Sequence, residues 1–387
     1  MKIQRKFWLS DSEAIVSIMF VIITIGTINI SSASLITAYN NYDDPYFFVT
    51  RHILFIVFGT IMLLVMRSVN YTRLKRLAFP LILISILALI AVIFVGITIN
   101  GSRRWISLGF MQFQPSELAK LSTILYTAAY LGNCLNKNIS IQLSPLKNGT
   151  LLFCGIIFIL VEQQPDMGTA LIILGIPVLM YFIAGISKKW IAAACGIGSA
   201  GLIFFATFQP YRLSRIKNWY DPWDNLHDEG YQIVQSILSI GSGGFTGMGL
   251  GHGFSKYSYL PESHTDFAFA VLCQELGFVG AFFIFVLFLA LAAYCTRVAR
   301  RAKDNFAKLL ICGIIMLIVG QAVCNMAMVI GLIPVVGIPL PFISYGGTSL
   351  LLNMISIGIV LNIDKHNPPT VNLVPSKKNN VYQFKQS

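Results

Sequence analysis

Long apolar stretches, separated by short polar and often basic connections, form the dominant pattern of the chain. Stretches such as 14–30 and 77–99 contain no charged residue, and at about 1.5 Å per residue each can cross a hydrocarbon core of roughly 30 Å. The predicted spans are 14–34, 48–66, 77–99, 117–132, 148–162, 167–185, 190–208, 266–295, 307–331 and 343–362. The pattern therefore predicts an all-α polytopic membrane protein with ten transmembrane helices.

The composition agrees with this pattern. The 387 residues are 56% hydrophobic and 11% charged, with a mean hydropathy of +0.72, which excludes soluble enzymes and DNA-binding modules. The net charge of +12 does not indicate a nucleic-acid partner, because the Lys and Arg residues form short runs between apolar segments and no continuous basic face. The sequence has no CxxC and no His pair at metal-ligand spacing, so no metal site is predicted.

The basic residues indicate the topology. With a cytoplasmic N-terminus, most of the 28 Lys and Arg residues fall on the cytoplasmic side, which favours an even number of spans and two cytoplasmic termini. The membrane domain is predicted to cover 1–363. The polar segment 364–387, which contains Pro368 and Pro369, is predicted to be a disordered cytoplasmic tail.

One connection, 209–265, is far longer than the others and is predicted to lie outside the membrane between the seventh and eighth spans; loops of this length usually carry function. Within it, residues 231–240 form an amphipathic pattern that suits a helix in the membrane interface or one packed on the bundle. Residues 241–253 contain seven glycines without a GK[ST] signature. They form either a flexible hinge or a close backbone approach to a phosphate, and not a Walker A loop.

Ionisable residues near membrane depth are functional candidates because their burial is costly. Arg103, Arg104 and Trp105 precede the fourth span and serve either a site or simple anchoring in the headgroup layer. The segment 331–351 combines several prolines and glycines as it enters the last span. Such a sequence predicts irregular backbone that is buried in protein or lines a cavity.

A second set of charges lies further inside the membrane. Glu117 and Lys120, three residues apart on one face of the fourth span, can pair with each other. The pair either stands alone or extends to Asp166, whose helix begins at the same membrane level. Asp166 can also act only as the N-cap of that helix after Pro165.

The third set contains Glu262, His264, Asp266 and Glu275, at the start of the eighth span. Thr265 or Asp266 can simply cap the helix. Asp266 is also well placed to be a general base that meets a lipid-anchored substrate and water, with its pKa raised by partial burial. His264 is either a substrate-binding residue or a local hydrogen-bonding residue of the loop.

Several motifs together resemble a known family. GSRRWISLG with QPSELAKL, then QPDMGTAL, LPESHTDFAFAVLCQELG and GIPLPFISYGGTSLL, in this order on ten spans, are similar to the shape, elongation, division and sporulation (SEDS) family of RodA, FtsW and SpoVE proteins. The resemblance covers nearly the whole chain. It implies a multi-pass protein of the bacterial cytoplasmic membrane that polymerises lipid II on the outer face, with a class B penicillin-binding protein as partner.

The resemblance also implies roles for individual residues. Asp266 matches the essential aspartate of the family's HTDF motif, and Arg104 and Trp105 match its RW pair. The family's polar network in the membrane core is matched by Glu117, Lys120 and Asp166. The sequence departs from the family at Gln274, which replaces the first Glu of EELG, and at Ala268, which replaces Ile. The first departure leaves Glu275, like Glu262, a secondary candidate.

The family resemblance suggests a chemistry for the site. Asp266 would deprotonate the acceptor hydroxyl, and cations would neutralise the diphosphate of lipid II. The candidate substrate-binding residues are Arg103, Arg104, Trp105, Arg212, Arg215, Lys256 and His264. A divalent cation, Mg²⁺ or Mn²⁺, is left open as a cofactor.

Two questions about the role stay open in the sequence. SSAS, DPYFFVTRH, DPW and KYSYLPESHTDF resemble FtsW, whereas GIPLPFISYGG resembles RodA. We favour the FtsW side, which implies septal wall synthesis with divisome proteins, over an elongation polymerase. A lipid II flippase or a scaffold is the alternative from another class, because buried charges such as Glu117 and Lys120 also suit a translocation pathway.

Overall fold

The computed structural model describes residues 10–99, 101–109, 111–141, 149–187, 189, 190, 192, 196, 210–224, 229–368, 372–375 and 382–385. The helices are α1 (Asp11–Tyr42), α2 (Phe47–Ser68), α3 (Tyr71–Val95), α4 (Pro115–Asn136), α5 (Gly149–Glu162), α6 (Met167–Ile183), α7 (Pro210–Tyr220), α8 (Glu229–Gly243), α9 (Ala268–Arg301), α10 (Asn305–Val329) and α11 (Gly347–His366). Short π-helical turns occupy Ser255–Tyr259 and Met316–Gly320, the second within α10. A small antiparallel sheet, β1 (Ile97–Ile99), β2 (Ser102–Ser107) and β3 (Gln112–Phe113), connects α3 to α4.

The helices confirm the predicted fold class, an all-α polytopic membrane protein. Six of them are long and apolar enough to cross a membrane: α1, α2, α3, α9, α10 and α11. α5 and α6 are shorter apolar helices, and the 22-residue α4 is mostly buried against α3, α6 and α10. The seventh predicted span, 190–208, lies almost entirely outside the residues described, so the count of ten stays a prediction.

α1 is longer at both ends than the predicted span 14–34. At its start, Ser10 and Glu13 form a reciprocal capping box: the Glu13 N–H donates to Ser10 Oγ (3.3 Å) and the Ser10 N–H donates to Glu13 Oε2 (2.7 Å). At its end, the helix continues through polar residues to Asp43, which adopts a left-handed conformation (φ 54°). The span was underestimated because polar residues at a helix end lower the hydropathy without ending the helix.

The two ends of the bundle differ in charge. At one end, Arg301 of α9 joins α1 and α11, with Nη1 2.5 Å from Asp11 Oδ2 and Nη2 2.8 Å from Asp364 Oδ1. Asn362 holds the α2–α3 connection at the same end. The basic residues of these connections are Arg67, Arg73, Lys75, Arg76, Arg300, Lys303 and Lys308. Asp266 precedes α9 and therefore lies at the opposite end of the bundle.

The glycine-rich segment has a different role from the two that the sequence left open. α9 is broken at Gly277 (φ 66°, ψ −167°), and the segment packs its backbone on this break. The N–H of Met248 donates to the Gln274 carbonyl, and that of Gly249 to the Glu275 carbonyl, both at 3.0 Å. A Cβ on Gly247 would lie 2.1 Å from the Glu275 oxygen. Glycine is therefore required for close contact between two backbones.

The long connection packs on the bundle. In α8, Ile233 and Val234 are buried, and Ser236 Oγ donates to the carbonyl of Val329 at 2.7 Å. Of the two alternatives for this amphipathic segment, packing on the bundle is the one observed. The connection also contains α7, which the sequence did not predict, and Trp219 Nε1 ties that helix to the Gly331 carbonyl at 2.9 Å.

The C-terminal segment contains more secondary structure than the pattern suggested. α11 runs to His366, beyond the predicted domain boundary at 363, because Asp364 is held by Arg301. Further on, β4 (Asn372–Pro375) and β5 (Tyr382–Lys385) pair as antiparallel strands. The bounds of the membrane domain stay a prediction.

The segment between α10 and α11 is irregular and buried, as predicted. Ile338, Leu340, Phe342 and Ile343 are each at most 2% exposed. Helix backbones approach it closely: an added Cβ on Gly168 of α6 would lie 2.1 Å from the Val336 carbonyl oxygen. Small residues on the helices thus allow a non-helical segment to pass through the protein interior.

This close approach makes a testable difference between two glycines of α6. We expect Gly168→Ala to lower the stability by about 1–3 kcal/mol, because the new methyl group must displace backbone. Gly175→Ala is the matched control, since nothing lies within 4 Å of its added Cβ and alanine is the better helix former by about 1 kcal/mol. Thermal unfolding in detergent measures both; equal melting temperatures for the two variants would contradict the packing described.

Candidate active site

Asp266 lies in the turn before α9. Its carbonyl oxygen accepts a hydrogen bond from Asn325 Nδ2 at 2.8 Å. The N-cap of α9 is Phe267, and no side chain caps the helix, so the alternative in which Asp266 or Thr265 is a helix cap is wrong. Thr265 Oγ1 donates to Glu262 Oε2 instead, at 2.5 Å. Within the described part of the chain, no hydrogen bond engages the Asp266 carboxylate, which leaves it available for chemistry.

Asp266 is surrounded by charged residues from distant parts of the sequence. The carboxyl group is only partly exposed and densely surrounded by protein. Burial raises its pKa from an ordinary 3.8 to about 7; Glu262 and Asp166 act in the same direction, whereas Arg104 and Arg215 oppose it. A carboxyl group that titrates near neutral pH is suited to act as a general base.

Arg104 and Asp166 form one wall of this cluster. Arg104 Nη1 lies 3.9 Å from Asp166 Oδ1, Nε donates to the Gln164 carbonyl at 3.0 Å, and Nη2 donates to the Pro165 carbonyl. Asp166 also accepts from the Thr169 N–H at 3.3 Å. Asp166 is therefore the N-cap of α6 and the ion-pair partner of Arg104 at once.

Glu117 and Lys120 form the predicted pair. Their charged atoms are 2.7 Å apart and both side chains are buried. Lys120 Nζ also donates to Gln321 Oε1 at 3.0 Å. Of the two alternatives that the sequence left open, the described contacts favour a pair that stands alone, because the ion-pair partner of Asp166 is Arg104.

Two amide side chains of α10 hold the site together, and the sequence analysis missed both. Gln321 Nε2 donates to the Pro339 carbonyl at 2.8 Å. Asn325, which is fully buried, donates from Nδ2 to the carbonyls of Asp266 and of Ile338 at 2.8 and 2.7 Å. The sequence did contain a signal for them: two polar residues lie four apart in an apolar span and therefore share one helix face at membrane depth.

His264 and Glu262 support the turn from the other side. The His264 ring packs 4.6 Å from the Phe48 ring, and its carbonyl accepts from the Tyr345 N–H at 2.9 Å. Burial lowers the His264 pKa, and the carboxylate of Glu262 opposes this shift. The described ring contacts of His264 are with Phe48 and Tyr345, and Glu262 adopts a left-handed backbone (φ 52°) that shapes the turn.

Lys256 and Glu275 lie together away from these contacts. Their charged atoms are 3.7 Å apart, and Ser32 Oγ donates to Glu275 Oε1 at 2.5 Å. Lys256 also donates to the Gly251 carbonyl. The charge of Lys256 is thus already compensated within the protein, whereas the candidate role assigned to it was to bind an anion.

The remaining candidate cations have different positions. Arg215 Nη1 donates to the Val335 carbonyl at 3.1 Å, next to the irregular segment. Arg103 is exposed on β2, with Nε 3.1 Å from Thr98 Oγ1, and Trp105 on the same strand is partly buried. The side chain of Arg212 lies outside the described part. Among the described residues, no group of three or more His, Cys, Asp or Glu side chains is arranged to hold a metal ion.

The fold and the charges around Asp266 define a polytopic membrane protein in which a carboxyl group with a pKa of about 7 lies at one end of the helical bundle. A model of the cell cycle protein family that comprises FtsW, RodA and SpoVE matches residues 13–368. The chain belongs to this family.

Relatives and a solved structure agree with this assignment. The chain is 37% identical over 362 residues to stage V sporulation protein E of Bacillus subtilis, covering 92% of this chain and 98% of the relative. It is 40% identical over 357 residues to a probable peptidoglycan glycosyltransferase FtsW of Geobacter, covering 91% and 96%. A chain from a structure on the coordination of polymerization and crosslinking by a peptidoglycan synthase complex superimposes with a TM-score of 0.76, at 26% identity, covering 93% and 99%.

The contacts of Asn325 lead to a prediction. Asn325→Ala would leave the carbonyls of Asp266 and Ile338 without their donor, at a cost of about 1–3 kcal/mol per buried group, and would free the Asp266 turn. We expect a lower melting temperature together with a more than tenfold loss of enzymatic activity in the folded fraction.

Asn362→Ala is the matched control. Asn362 is also a buried asparagine whose Nδ2 donates to several carbonyls, those of Met66, Arg67 and Val69, but it lies at the other end of the bundle. We expect a similar loss of stability with normal activity per folded molecule. Equal activity losses in both variants would mean that Asn325 contributes only to stability.

Proposed function

We propose that this chain is a peptidoglycan glycosyltransferase that polymerises lipid II into glycan strands. The observation that carries the proposal is the Asp266 carboxylate, whose pKa is about 7 and whose neighbours include Arg104 and Arg215. Lipid II joins a long apolar tail, a diphosphate and a disaccharide-pentapeptide. A membrane-embedded site with a base beside two guanidinium groups suits all of these parts, and the relatives named probable peptidoglycan glycosyltransferase FtsW support it.

The reaction requires one deprotonation and one leaving group. Asp266 removes the proton from the 4-hydroxyl of the acceptor GlcNAc as that oxygen attacks C1 of the donor MurNAc. The bond between C1 and the diphosphate oxygen breaks, and undecaprenyl diphosphate leaves with its negative charge next to Arg104 and Arg215. General base catalysis supplies about 10²- to 10⁴-fold, and orientation with charge stabilisation supplies the rest. A divalent cation on the diphosphate stays open.

The cellular setting is part of the proposal. The chain lies in the bacterial cytoplasmic membrane with both termini in the cytoplasm and Asp266 at the outer face. The basic residues at the opposite end of the bundle support this orientation. A class B penicillin-binding protein is the partner, which the resemblance to a chain of a synthase complex supports.

The relatives named FtsW favour a role in septal wall synthesis together with divisome proteins. An elongation role of the RodA type is the alternative within the family. A lipid II flippase is the alternative from another class, and it would depend on the buried pair of Glu117 and Lys120 more than on Asp266.

Asp266→Asn tests the catalytic assignment. We expect the rate of lipid II polymerisation by the purified protein with its synthase partner to fall at least about 10²-fold, because the amide cannot accept the proton. In the wild type, the rate should fall about tenfold per pH unit below about pH 7, since the base must be ionised.

The same substitution should stabilise the protein at high pH. The folded state raises the pKa of Asp266 from 3.8 to about 7, so ionisation lowers stability increasingly across that window and fully above pH 7. Asp266→Asn should therefore melt at a higher temperature than the wild type at pH 8, and the difference should shrink as the pH falls.

Asp304→Asn is the matched control, because Asp304 caps α10 at the other end of the bundle and asparagine is also a good N-cap. It should polymerise lipid II normally. Wild-type polymerisation by Asp266→Asn would remove the catalytic assignment, and retained lipid II transport in that variant would favour the flippase.

The orientation is tested by labelling. A membrane-impermeant thiol reagent added to intact spheroplasts should modify a cysteine introduced near residue 225, and a reporter fused after residue 387 should be active in the cytoplasm. Asp224, directly before this position, is exposed. Modification only after the membrane is opened would reverse the topology and separate Asp266 from exported lipid II.

A further inference from the structure

An open pocket lies on the other side of the α5–α6 turn from the Asp266 cluster. Its volume is about 390 Å³. It is lined by Thr98, Gly101 and Arg103 of the β1–β2 hairpin, Gln163 and Gln164 of the turn, and Ile93 of α3. The catalytic scheme above makes no use of this pocket.

Arg103 gives the pocket a positive charge. Its Nε donates to Thr98 Oγ1 at 3.1 Å, and in the described part of the chain no carboxylate pairs with the guanidinium. The two terminal NH₂ groups can therefore donate to an anion in the fork geometry that suits phosphate oxygens.

Gln164 is a second and independent indication of a ligand. The side chain is 3% exposed, and its Nε2 donates to the Leu89 carbonyl at 3.2 Å. That bond fixes the orientation of the amide, and Oε1 is left buried without a hydrogen-bond partner. A buried acceptor of this kind is costly unless a donor reaches it. Because Gln164 also lines the pocket, the pocket combines a cation suited to an anion with a residue whose amide oxygen lacks a donor.

The pocket and the Asp266 cluster share a wall. Arg103 and Arg104 are neighbours on β2, so their side chains point to opposite faces of the strand. Arg103 lines the pocket. Arg104 instead donates hydrogen bonds to the carbonyls of Gln164 and Pro165 in the turn, and it pairs with Asp166. Two cationic sites thus lie on either side of one turn.

Polymerisation requires two such sites. The donor breaks its bond to diphosphate at the reacting carbon, so its diphosphate lies next to the catalytic base. The acceptor reacts through the 4-hydroxyl of GlcNAc, at the far end of its disaccharide, so its diphosphate lies two sugar rings away from the base. A second anion site, close to the first but separate from it, is what the reaction needs.

We propose that the pocket around Arg103 binds the diphosphate of the acceptor lipid II, while Arg104 and Arg215 serve the donor. Gln164 Oε1 accepts a hydrogen bond from the sugar or acetamido group next to that diphosphate. The apolar tail leaves along the end of α3, where Leu87, Phe94 and Val95 are exposed. The inference rests on the proposed glycosyltransferase function.

Donor and acceptor can be titrated separately. Lipid II with a blocked GlcNAc 4-hydroxyl can act only as donor. With this analogue in excess, unblocked lipid II is varied as acceptor, using the full chain with its synthase partner. Arg103→Gln should raise the half-saturating acceptor concentration roughly tenfold to hundredfold, as expected for the loss of a charged hydrogen-bonding group. The half-saturating concentration of the blocked donor should stay within about twofold.

Lys217→Gln is the matched control for the loss of a positive charge at the same end of the bundle. Lys217 is exposed on α7, does not line the pocket around Arg103 and is not among the charges that act on Asp266, so both titrations should match the wild type. An Arg103→Gln variant with an unchanged acceptor titration, or with donor and acceptor weakened equally, would overturn the proposal.

Binding stoichiometry keeps the inference separate from the proposed function. In the inactive Asp266→Asn background, fluorescent lipid II should bind at two sites per chain, and adding Arg103→Gln should leave one. A wild-type protein that makes no polymer would disprove the glycosyltransferase assignment. A stoichiometry unaffected by Arg103→Gln would disprove the acceptor site alone.

Discussion

The rest of the site depends on one buried amide. At membrane depth, backbone polar groups outside regular helices must find hydrogen-bond partners within the protein. The carbonyls of the irregular segment between α10 and α11 are such groups. Asn325 satisfies one of them, that of Ile338, and with the same nitrogen it also binds the carbonyl of Asp266 in the turn before α9. Because the same nitrogen binds both, the position of the Asp266 turn is fixed relative to the irregular segment. An added Cβ on Gly337 of that segment would lie 3.5 Å from Asp266 Oδ2.

This arrangement explains how a carboxylate is kept both buried and reactive. A fully paired Asp266 would have a low pKa and would be a weak base. Here Glu262 and Asp166 oppose its ionisation, and Arg104 is occupied by Asp166 and two carbonyls. Arg104 and Arg215 stabilise the ionised carboxylate, but burial and the two acidic neighbours outweigh them. The pKa near 7 results from the balance between burial and acidic neighbours, which raise it, and the two arginines, which lower it.

The sequence predicted what depends on local pattern and missed what depends on distant contacts. Helices with an apolar period were found, and the Glu117–Lys120 pair was correct because both residues share one helix face. The alternative in which Thr265 or Asp266 only caps the helix was wrong: the N-cap is Phe267, and the Asp266 turn is held instead by Asn325, a residue far along the chain. α7 was missed because its anchor, the bond from Trp219 to the Gly331 carbonyl, joins two segments that no periodicity relates. Arg103 and Arg104 looked equivalent in the sequence. They differ in the structure because neighbouring residues of strand β2 point to opposite faces of the strand.

That separation has a consequence for a polymerase. A single strand, β2, presents one arginine to each side of the α5–α6 turn, and the turn itself is held through its carbonyls by Arg104 and through Asp166. The turn is therefore part of the wall of both proposed sites, and the two sites are in direct structural contact. An enzyme that must bind two nearly identical lipids at the same time, and use each in only one role, gains from sites that differ in their surroundings: one beside a base and paired carboxylates, the other with a lone cation and an amide acceptor.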